Sequence, residues 1–277
     1  MERALSTHIF VNQRLTASLL ERIAKAGLRC LEIFCARQHL DYHDRNQVVE
    51  LAAWFRDATV ELHSLHMPMY RDKAWGRSGS QAAISIAEID KARRIDAVDE
   101  IKRALEVAEH IPFRYAIVHV GVSGEEYDPR KMDAALWSLE HLRLFGRQRG
   151  VSLALENIPN ELTTPERLRE LIHHLRFPDL GVCFDSGHAH LGQGAQAVFE
   201  KLQPLVRTTH LHDNMGEKDE HLFPLEGRID WSALVRAFRA AGSGFPWLLE
   251  IREFPELKDP LGRAGEVFQR LDEMGNS

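Results

Sequence analysis

Cysteine is scarce in this sequence, and long apolar runs are absent from it. The 277 residues include three cysteines, Cys30, Cys35 and Cys183, which are too few and too odd in number for a disulfide framework. We therefore expect reduced, buried thiols in a cytoplasmic protein. No apolar run approaches the roughly 18 residues of a membrane helix. The segment "MERALSTHIF" lacks the basic-then-apolar pattern of a signal peptide, so we expect no membrane partner.

The sequence also lacks the features of a strongly basic or nucleotide-binding protein. Its formal charge is −6 at pH 7, which gives no global attraction to nucleic acid. Bound metal ions could still attract a phosphate locally, so a nucleic-acid partner is unexpected but stays open. The junction of the first strand with the first helix has no glycine-rich phosphate loop, and we therefore expect no nucleotide cofactor.

Short apolar runs alternate with longer segments in which apolar residues recur every three to four positions. This alternation is typical of buried parallel strands followed by amphipathic helices. The predicted strands are residues 4–11, 28–34, 60–66, 115–120, 151–156, 180–184, 206–212 and 247–251. Eight such units without a break in composition predict an α/β fold, a (β/α)8 TIM barrel formed by one domain over residues 1–277. An open, doubly wound sheet is the alternative, which the missing glycine-rich loop disfavours.

Helix ends and long connections can also be located in the sequence. Thr16 and Gly27 predict the start and end of the first helix, and Thr164 followed by a proline predicts the start of the fifth. Two connections are long, residues 67–85 and 213–229, and both follow predicted strands. Long loops at the carboxyl ends of barrel strands are usually functional.

Histidines are abundant and concentrate at the predicted strand ends. Of the 15 histidines, eight lie at or just past such an end: His63, His66, His119, His188, His190, His210, His212 and His221. The other seven scatter through other segments: His8, His39, His43, His110, His141, His173 and His174. In a barrel the carboxyl ends of the strands converge, so residues that are distant in sequence face one another.

Imidazole and carboxylate groups at one rim suit a transition metal. One mixed site could be formed by residues from four adjacent strands, namely Glu156, Asp185, His210 and Glu250. His210 and His212 share a face of their strand, so one could bind metal while the other hydrogen-bonds a ligand or substrate. The segment Asp219-Glu220-His221 could fold back to supply two more ligands. We favour His66 over His63 as a site residue, because His66 directly precedes a Met-Pro pair at the rim.

Six motifs, taken in order, resemble the xylose isomerase-like TIM barrels. They are "VHVG", "LENIPN", "CFDSGHAHL", "HLHDN" with "DEH", "EGRIDW" and "LLEIRE", and the resemblance covers nearly the whole chain. The superfamily holds sugar and sugar-phosphate isomerases and epimerases, and also endonuclease IV (AP endonuclease family 2). The resemblance implies that Zn, Mn, Co, Mg or Fe binds at a site formed by Glu156, Asp185, His210 and Glu250.

The resemblance further implies roles for individual residues. Glu156 and Glu250 would act as the acid–base pair, as well as binding metal. The expected substrate-binding residues are His66, His119, His188 and His221. In the endonuclease IV branch further ligands hold a cluster of three metals, and their counterparts here are His66, His119, His188, Asp219 and His221. The ligand pattern therefore does not separate the branches.

Departures from the endonuclease pattern favour the sugar enzymes. The stretch "STHIFVNQRLTAS" lacks the glycine-rich segment of the endonuclease, "ENIPN" and "LFPLEGRIDW" are closer to the isomerases, and no Lys/Arg strip interleaved with aromatic residues marks a DNA track. Tyr70, Trp75 and Arg77 could stack on a sugar as well as on a base.

The expected function is a divalent-metal-dependent sugar or sugar-phosphate isomerase or epimerase of carbohydrate metabolism. It would transfer a proton through a metal-stabilised enediolate. Three alternatives stay open: an endonuclease IV-like phosphodiesterase, an enediolate-type lyase or dehydratase, and a binding protein without turnover. The expected partner is a small-molecule sugar or sugar-phosphate, and a homo-oligomer is possible.

Overall fold

A computed structural model describes residues 2–242 and 244–274 as a barrel of parallel strands with helices between them. The strands are β1 Arg3–Ser6, β2 Cys30–Phe34, β3 Glu61–His66, β4 Tyr115–Val118, β5 Ser152–Glu156, β6 Gly181–Asp185, β7 Val206–His210 and β8 Trp247–Leu249. Their order in the sheet is β7-β6-β5-β4-β3-β2-β1-β8. A parallel bridge between Leu211 and Leu249 brings β7 to β8 and closes the ring. The predicted (β/α)8 architecture is confirmed.

Helices connect each strand to the next. They are α1 Ala17–Lys25, α2 Arg45–Asp57, α3 Lys91–Leu105, α4 Pro129–Arg147, α5 Pro165–Leu175, α6 Ser186–Leu191, α7 Ala195–Leu202, α8 Trp231–Ala241 and α9 Pro260–Met274. The predicted caps are in place: Thr16 Oγ1 accepts a hydrogen bond from the Leu19 amide, and Gly27 follows α1 with φ of +87°. At α5, the Thr164 side chain accepts from the Arg167 amide and Pro165 occupies the first turn.

The first strand is shorter than the sequence predicts, and this changes the rim. We predicted a strand over residues 4–11, but β1 ends at Ser6 and a 3-10 helix spans Thr7–Phe10. The Ser6 hydroxyl accepts from the His8 amide at 3.4 Å, and the Thr7 hydroxyl accepts from the Phe34 amide of β2 at 3.0 Å. These side-chain bonds replace the strand ladder and end it. As a result His8, which we had counted among the scattered histidines, lies at the carboxyl end of β1.

The barrel is mainly apolar inside, but buried polar side chains such as Glu32, Ser64 and Thr208 also lie within its strands. The cysteines Cys30, Cys35 and Cys183 are free and buried, in agreement with the expectation from composition. Among the residues that the structure describes, no helix is long and apolar enough to cross a membrane. The buried polar side chains that concern the site lie near the strand ends, where β2, β3 and β5 to β8 deliver them.

Candidate metal centre and its cavity

Four predicted ligands meet around one ring nitrogen of His210. Its Nδ1 lies 3.3 Å from Glu156 Oε2, 3.3 Å from Glu250 Oε2 and 4.0 Å from Asp185 Oδ2. All four residues are at most 2% exposed. Atoms bound to one tetrahedral metal at 2.0–2.2 Å lie about 3.3–3.6 Å apart. The distances to Glu156 and Glu250 fit a divalent cation, and Asp185 would have to approach by a few tenths of an ångström.

Glu32 fixes which nitrogen of His210 faces the carboxylates. Glu32 Oε2 lies 3.0 Å from His210 Nε2 and accepts a second hydrogen bond from the Ser64 hydroxyl at 2.7 Å. The Nε2–H therefore donates to Glu32, and the Nδ1 lone pair faces the three other carboxylates. Within the described chain that Nδ1 has no hydrogen-bond partner, although it is buried. A lone pair buried among anions needs a proton or a cation, and a carboxylate behind a histidine is the usual support of a metal ligand.

Neighbouring side chains determine which groups of the metal-free centre are charged. Burial lowers the pKa of His210, but acidic groups around it, Cys183 and Glu250 first, outweigh this and raise that pKa well above its usual range. Burial raises the pKa of Glu156, but the neighbouring His119 and His210 lower it well below the usual range. In the metal-free centre a proton on His210 thus balances the ionised Glu156, and a bound cation would displace that proton.

Asp185 serves both the centre and the backbone. It caps α6, where its Oδ1 accepts from the His188 amide at 2.7 Å, while its Oδ2 lies 2.9 Å from His212 Nε2. Gly187 makes room for that contact, because a Cβ at this position would overlap the His212 ring. His212 therefore contacts a ligand of the centre, and its ring stacks on His221 with centroids 3.9 Å apart. Of the pair predicted to share a face, His210 reaches the centre and His212 lies behind Asp185.

A second group of ligand atoms adjoins Glu156. His119 Nε2 lies 3.1 Å and His66 Nε2 3.6 Å from Glu156 Oε2. The other ring nitrogen of His66 donates to the Met67 carbonyl at 2.8 Å, which directs Nε2 toward the carboxylate. His63, over which we favour His66 as a site residue, packs near Tyr115 with ring centroids 5.3 Å apart and does not line the cavity.

A third group gathers around Asp219 on the loop that follows β7. Asp219 Oδ2 lies 3.1 Å from His221 Nε2 and 3.2 Å from His188 Nε2. His221 Nδ1 donates to the Glu250 carbonyl at 3.0 Å. One ring nitrogen of His221 is therefore held by a hydrogen bond, as in His66 and His210. Burial lowers the pKa of His221, but the Asp219 charge outweighs it and raises the pKa to about 9. All five additional multinuclear ligands predicted from the sequence thus lie at the same rim as the four-residue centre.

Residues of the polar stretch "HDN" and of the later "EGRIDW" bond to one another and hold the loop that follows β7. Asp213 Oδ2 accepts from the Trp231 indole at 2.7 Å and from the Leu225 amide at 3.1 Å, and Asp213 Oδ1 accepts from the Ile229 amide at 3.1 Å. A Cβ at Gly227 would overlap the Asp213 carboxylate. Asp213 therefore binds both ends of the loop, which places Asp219 and His221 over the barrel mouth.

A cavity of about 270 Å³ opens above these groups. Its polar floor includes Glu156 and Glu250. Its walls are mainly apolar: Phe34, Met67, Met69, Tyr70, Trp75, Ile84, Ile101, Val122 and Ile158. This volume is close to the lower limit of about 300 Å³ for small-molecule sites. Tyr70 and Trp75 line it, whereas Arg77 and His190 do not.

Two residues of this region were missed in the sequence. Glu32 lies inside the strand "CLEIF", and His8 follows a strand whose end was placed too late. A buried charge within an apolar run was the available signal for Glu32, because charged residues are almost never fully buried without a partner. The 3-10 turn that carries His8 shows neither the alternation of a strand nor the repeat of an α-helix, so the sequence does not reveal it.

Comparison with known proteins gives one family and several similar folds. A family model described as xylose isomerase-like TIM barrel matches residues 20–274. An uncharacterized protein of Methanocaldococcus jannaschii is 27% identical over 253 residues, which cover 87% of this chain and 80% of that protein.

Solved structures resemble this one over almost their full length. A D-tagatose 3-epimerase-like protein has a TM-score of 0.79 at 24% identity, covering 100% of this chain and 98% of that chain. The IOLI protein, solved with a binding zinc atom, has a TM-score of 0.77 at 17% identity, covering 99% of this chain and 98% of that chain. At these identities the likeness is one of fold.

Proposed function

The chain belongs to the xylose isomerase-like TIM barrel family, and on that premise we propose that it is a divalent-metal-dependent isomerase or epimerase of sugars. One observation carries the proposal. Glu156 and Glu250 line the same small cavity, and each places an oxygen 3.3 Å from the same nitrogen of His210. Two carboxylates at one reacting centre allow a proton to be removed from a substrate carbon and returned.

The residues that would hold the cation are Glu156, Asp185, His210 and Glu250, with Glu32 orienting His210. A divalent cation bound there would polarise the substrate carbonyl and stabilise the enediolate formed when the neighbouring C–H loses its proton. Zinc, manganese, cobalt, magnesium or iron would suit these oxygen and nitrogen donors, and zinc or manganese is the first choice for a test.

The two carboxylates have different surroundings, and we infer that they have different roles in proton transfer. Four histidines approach the Glu156 oxygens: His66, His119, His188 and His210. Glu250 Oε2 lies 3.3 Å from His210 and 3.7 Å from His221. We assign removal of the substrate proton to Glu250, whose oxygens have fewer histidine neighbours. The proton is then returned by Glu250 itself, or it passes to Glu156 and is returned from there.

Turnover in heavy water tests this function. The metal-loaded protein is incubated with ketoses such as D-tagatose and D-fructose, and product formation and deuterium at the reacting carbon are followed by NMR and mass spectrometry. We expect an isomer that carries deuterium, with incomplete labelling where a carboxylate returns the same proton. Failure to convert any sugar in a broad panel would refute the proposal.

Substitution of each carboxylate tests the assigned chemistry. Glu156→Gln and Glu250→Gln should each lower kcat by at least about 10²–10⁴-fold, because general acid–base steps contribute this much and metal binding also suffers. Glu61→Gln is the matched control, since Glu61 is exposed at the opposite end of β3. Wild-type rates in either site variant, with metal content equal to that of the control, would remove that residue from the mechanism.

Hydrolysis of a phosphodiester is a second candidate function. The observation in its favour is that the two further ligand groups, around His66 with His119 and around Asp219, are assembled beside the first. A cluster of this kind could activate a water molecule and bind a phosphate. Cleavage of an abasic-site DNA duplex by a protein that turns over no sugar would favour this candidate.

A further inference from the structure

His8 is a buried histidine whose polar atoms have no partner. Its side chain follows β1 at the rim, lines the cavity, and the residue is 3% exposed. Neither ring nitrogen forms a hydrogen bond with any group in residues 2–242 or 244–274. Two buried, unsatisfied polar atoms are destabilising, and such an arrangement is retained where a ligand supplies the missing partners.

Aromatic rings hold His8 in one orientation. It stacks on Phe34 with centroids 4.5 Å apart at an interplanar angle of 26°, and Trp75 meets it edge-on at 5.5 Å. Val11, Ala36 and Met69 pack around Phe34 and Trp75 as a separate apolar cluster. The ring is therefore rigidly placed, as a side chain that selects a ligand must be.

The charge around His8 favours an uncharged ligand. Both ring nitrogens of His8 are free to bond a ligand, since no group of the described residues bonds either of them. A neutral imidazole can both donate and accept a hydrogen bond, as a hydroxyl group can. Arg252 is the one Lys or Arg among the described lining residues, and its Nη2 already donates to the Asp219 carbonyl at 3.1 Å. A phosphate monoester would lack the cationic cluster that usually binds it.

We propose that His8 is a specificity-determining residue that hydrogen-bonds a hydroxyl group of an unphosphorylated sugar, whose C–H groups pack against Trp75 and the apolar wall. This inference rests on the proposed isomerase or epimerase function and narrows its substrate class. The competing role is a metal ligand, because a ring nitrogen of His8 lies within 4.8 Å of ligand atoms of His221 and Glu250. Loss of the imidazole would weaken sugar binding in the first role and metal binding in the second.

Substitution of His8 separates the roles. His8→Phe keeps a ring to stack on Phe34 but removes both hydrogen-bonding atoms, whereas His8→Gln keeps a donor and an acceptor. For the sugar that the wild type turns over best, we expect His8→Phe to raise KM about tenfold with little change in kcat. His8→Gln should recover part of the loss, and metal content should stay equal to the wild type in both.

His63→Phe is the matched control. His63 is another buried histidine with an unpartnered Nε2, but it does not line the cavity, so its loss should leave KM unchanged. Single-deoxy analogues of the same sugar provide a second measurement that requires no folded variant. One of them should show a KM about tenfold higher in the wild type, and that increase should vanish in His8→Phe where this variant folds.

Several outcomes would overturn the assignment of His8. An unchanged KM in His8→Phe, or loss of bound metal from it, would exclude the hydroxyl contact while leaving wild-type isomerisation intact. A wild-type preference for D-fructose 6-phosphate over D-fructose would exclude the unphosphorylated substrate class. Absence of turnover with every sugar would overturn the proposed function and this inference together, a result distinct from the first two.

Discussion

A single carboxylate, Glu32, determines how His210 meets the other ligands. Because it accepts from His210 Nε2 at 3.0 Å, the opposite nitrogen is left with a free lone pair at the centre of three acids. His66 and His221 are fixed in the same way, with backbone carbonyls in place of the carboxylate. The rim histidines are thus oriented before any cation binds, which lowers the cost of binding it.

Removing the charge of Glu32 tests this positioning role. Glu32→Gln keeps the shape of the side chain but weakens its hold on the His210 Nε2–H. We expect metal affinity to fall about 10–100-fold, the usual effect of losing such a partner. The measurement is competition with a chromogenic chelator, with Glu61→Gln as the exposed control on the neighbouring strand. Equal metal dissociation constants in the two variants would show that Glu32 does not position His210.

Residues of the site differ in how well the sequence reveals them. Glu156, Asp185, His210 and Glu250 stand at the ends of apolar runs, so the barrel topology alone predicts that they converge at one rim. Glu32 was not predicted: an acid within an apolar run was a signal, but the sequence does not show which partner would make its burial tolerable. The partner that makes its burial tolerable, His210, lies 178 positions away in sequence.

The predicted ends of helices and strands are also limited by what a local sequence pattern can show. The order of strands and helices follows from periodicity, and Thr16, Gly27 and Thr164 mark helix ends as predicted. The predicted end of β1 was wrong, because the apolar residues 9–11 extend the run past the point where the Ser6 and Thr7 hydroxyls bind amides. The competition between side-chain and ladder hydrogen bonds depends on the neighbouring strand, which a local reading does not include.

The β7–α8 loop is the element whose order the site depends on most. It carries Asp219 and His221, and its two ends are joined through Asp213 to the amide of Ile229 and the indole of Trp231. The loop contains no regular helix or strand apart from a bridge between Asp213 and Leu222. Hydrogen bonds hold its conformation, and those to the buried Asp213 carboxylate are the ones that join its two ends.

Loss of the indole hydrogen bond should loosen this loop. Trp231→Phe removes the donor to Asp213, and hydrogen bonds to charged groups contribute about 1.5–3 kcal/mol. We expect amide hydrogen exchange in residues 214–229 to accelerate about tenfold or more, with the barrel strands little changed. Trp54→Phe is the matched control, because Trp54 donates to Glu21 at the exposed outer face of the barrel. Equal exchange of the loop in both variants would contradict this role for Asp213 and Trp231.

Across the whole molecule, buried histidines of two kinds set the pH dependence of the metal-free protein. His8, His39 and His63 are neutral and buried, and burial lowers the pKa of His39 and of His63 to about 4. Their contribution to stability is complete above the unfolded value near 6.5 and is lost as the pH falls toward 4. The pKa of His221 is raised to about 9, so its contribution is complete below about 6.5 and is lost as the pH rises through 9.

The metal-free protein should therefore be most stable near pH 6.5. The alkaline loss from His221 alone is about 3 kcal/mol for a pKa raised from 6.5 to about 9. A cation bound by Glu156, Asp185, His210 and Glu250 would replace the proton of His210, so the loaded protein should lose less Tm in the alkaline range than the metal-free protein. Thermal unfolding from pH 4 to 9, with chelator and with excess zinc, measures both curves. A metal-free Tm that is flat from pH 6.5 to 9 would refute the linkage.

The number of divalent ions bound per chain tests the metal centre most directly. Protein purified without chelator, saturated with zinc or manganese and desalted, should hold about one tightly bound ion by elemental analysis. His210→Ala should abolish this binding, whereas His119→Ala and His221→Ala should retain it and weaken only sugar binding. A protein that binds no ion after metal is added would contradict the centre itself. About three ions in the wild type, with fewer in both His119→Ala and His221→Ala, would contradict the single-metal isomerase and support the phosphodiesterase.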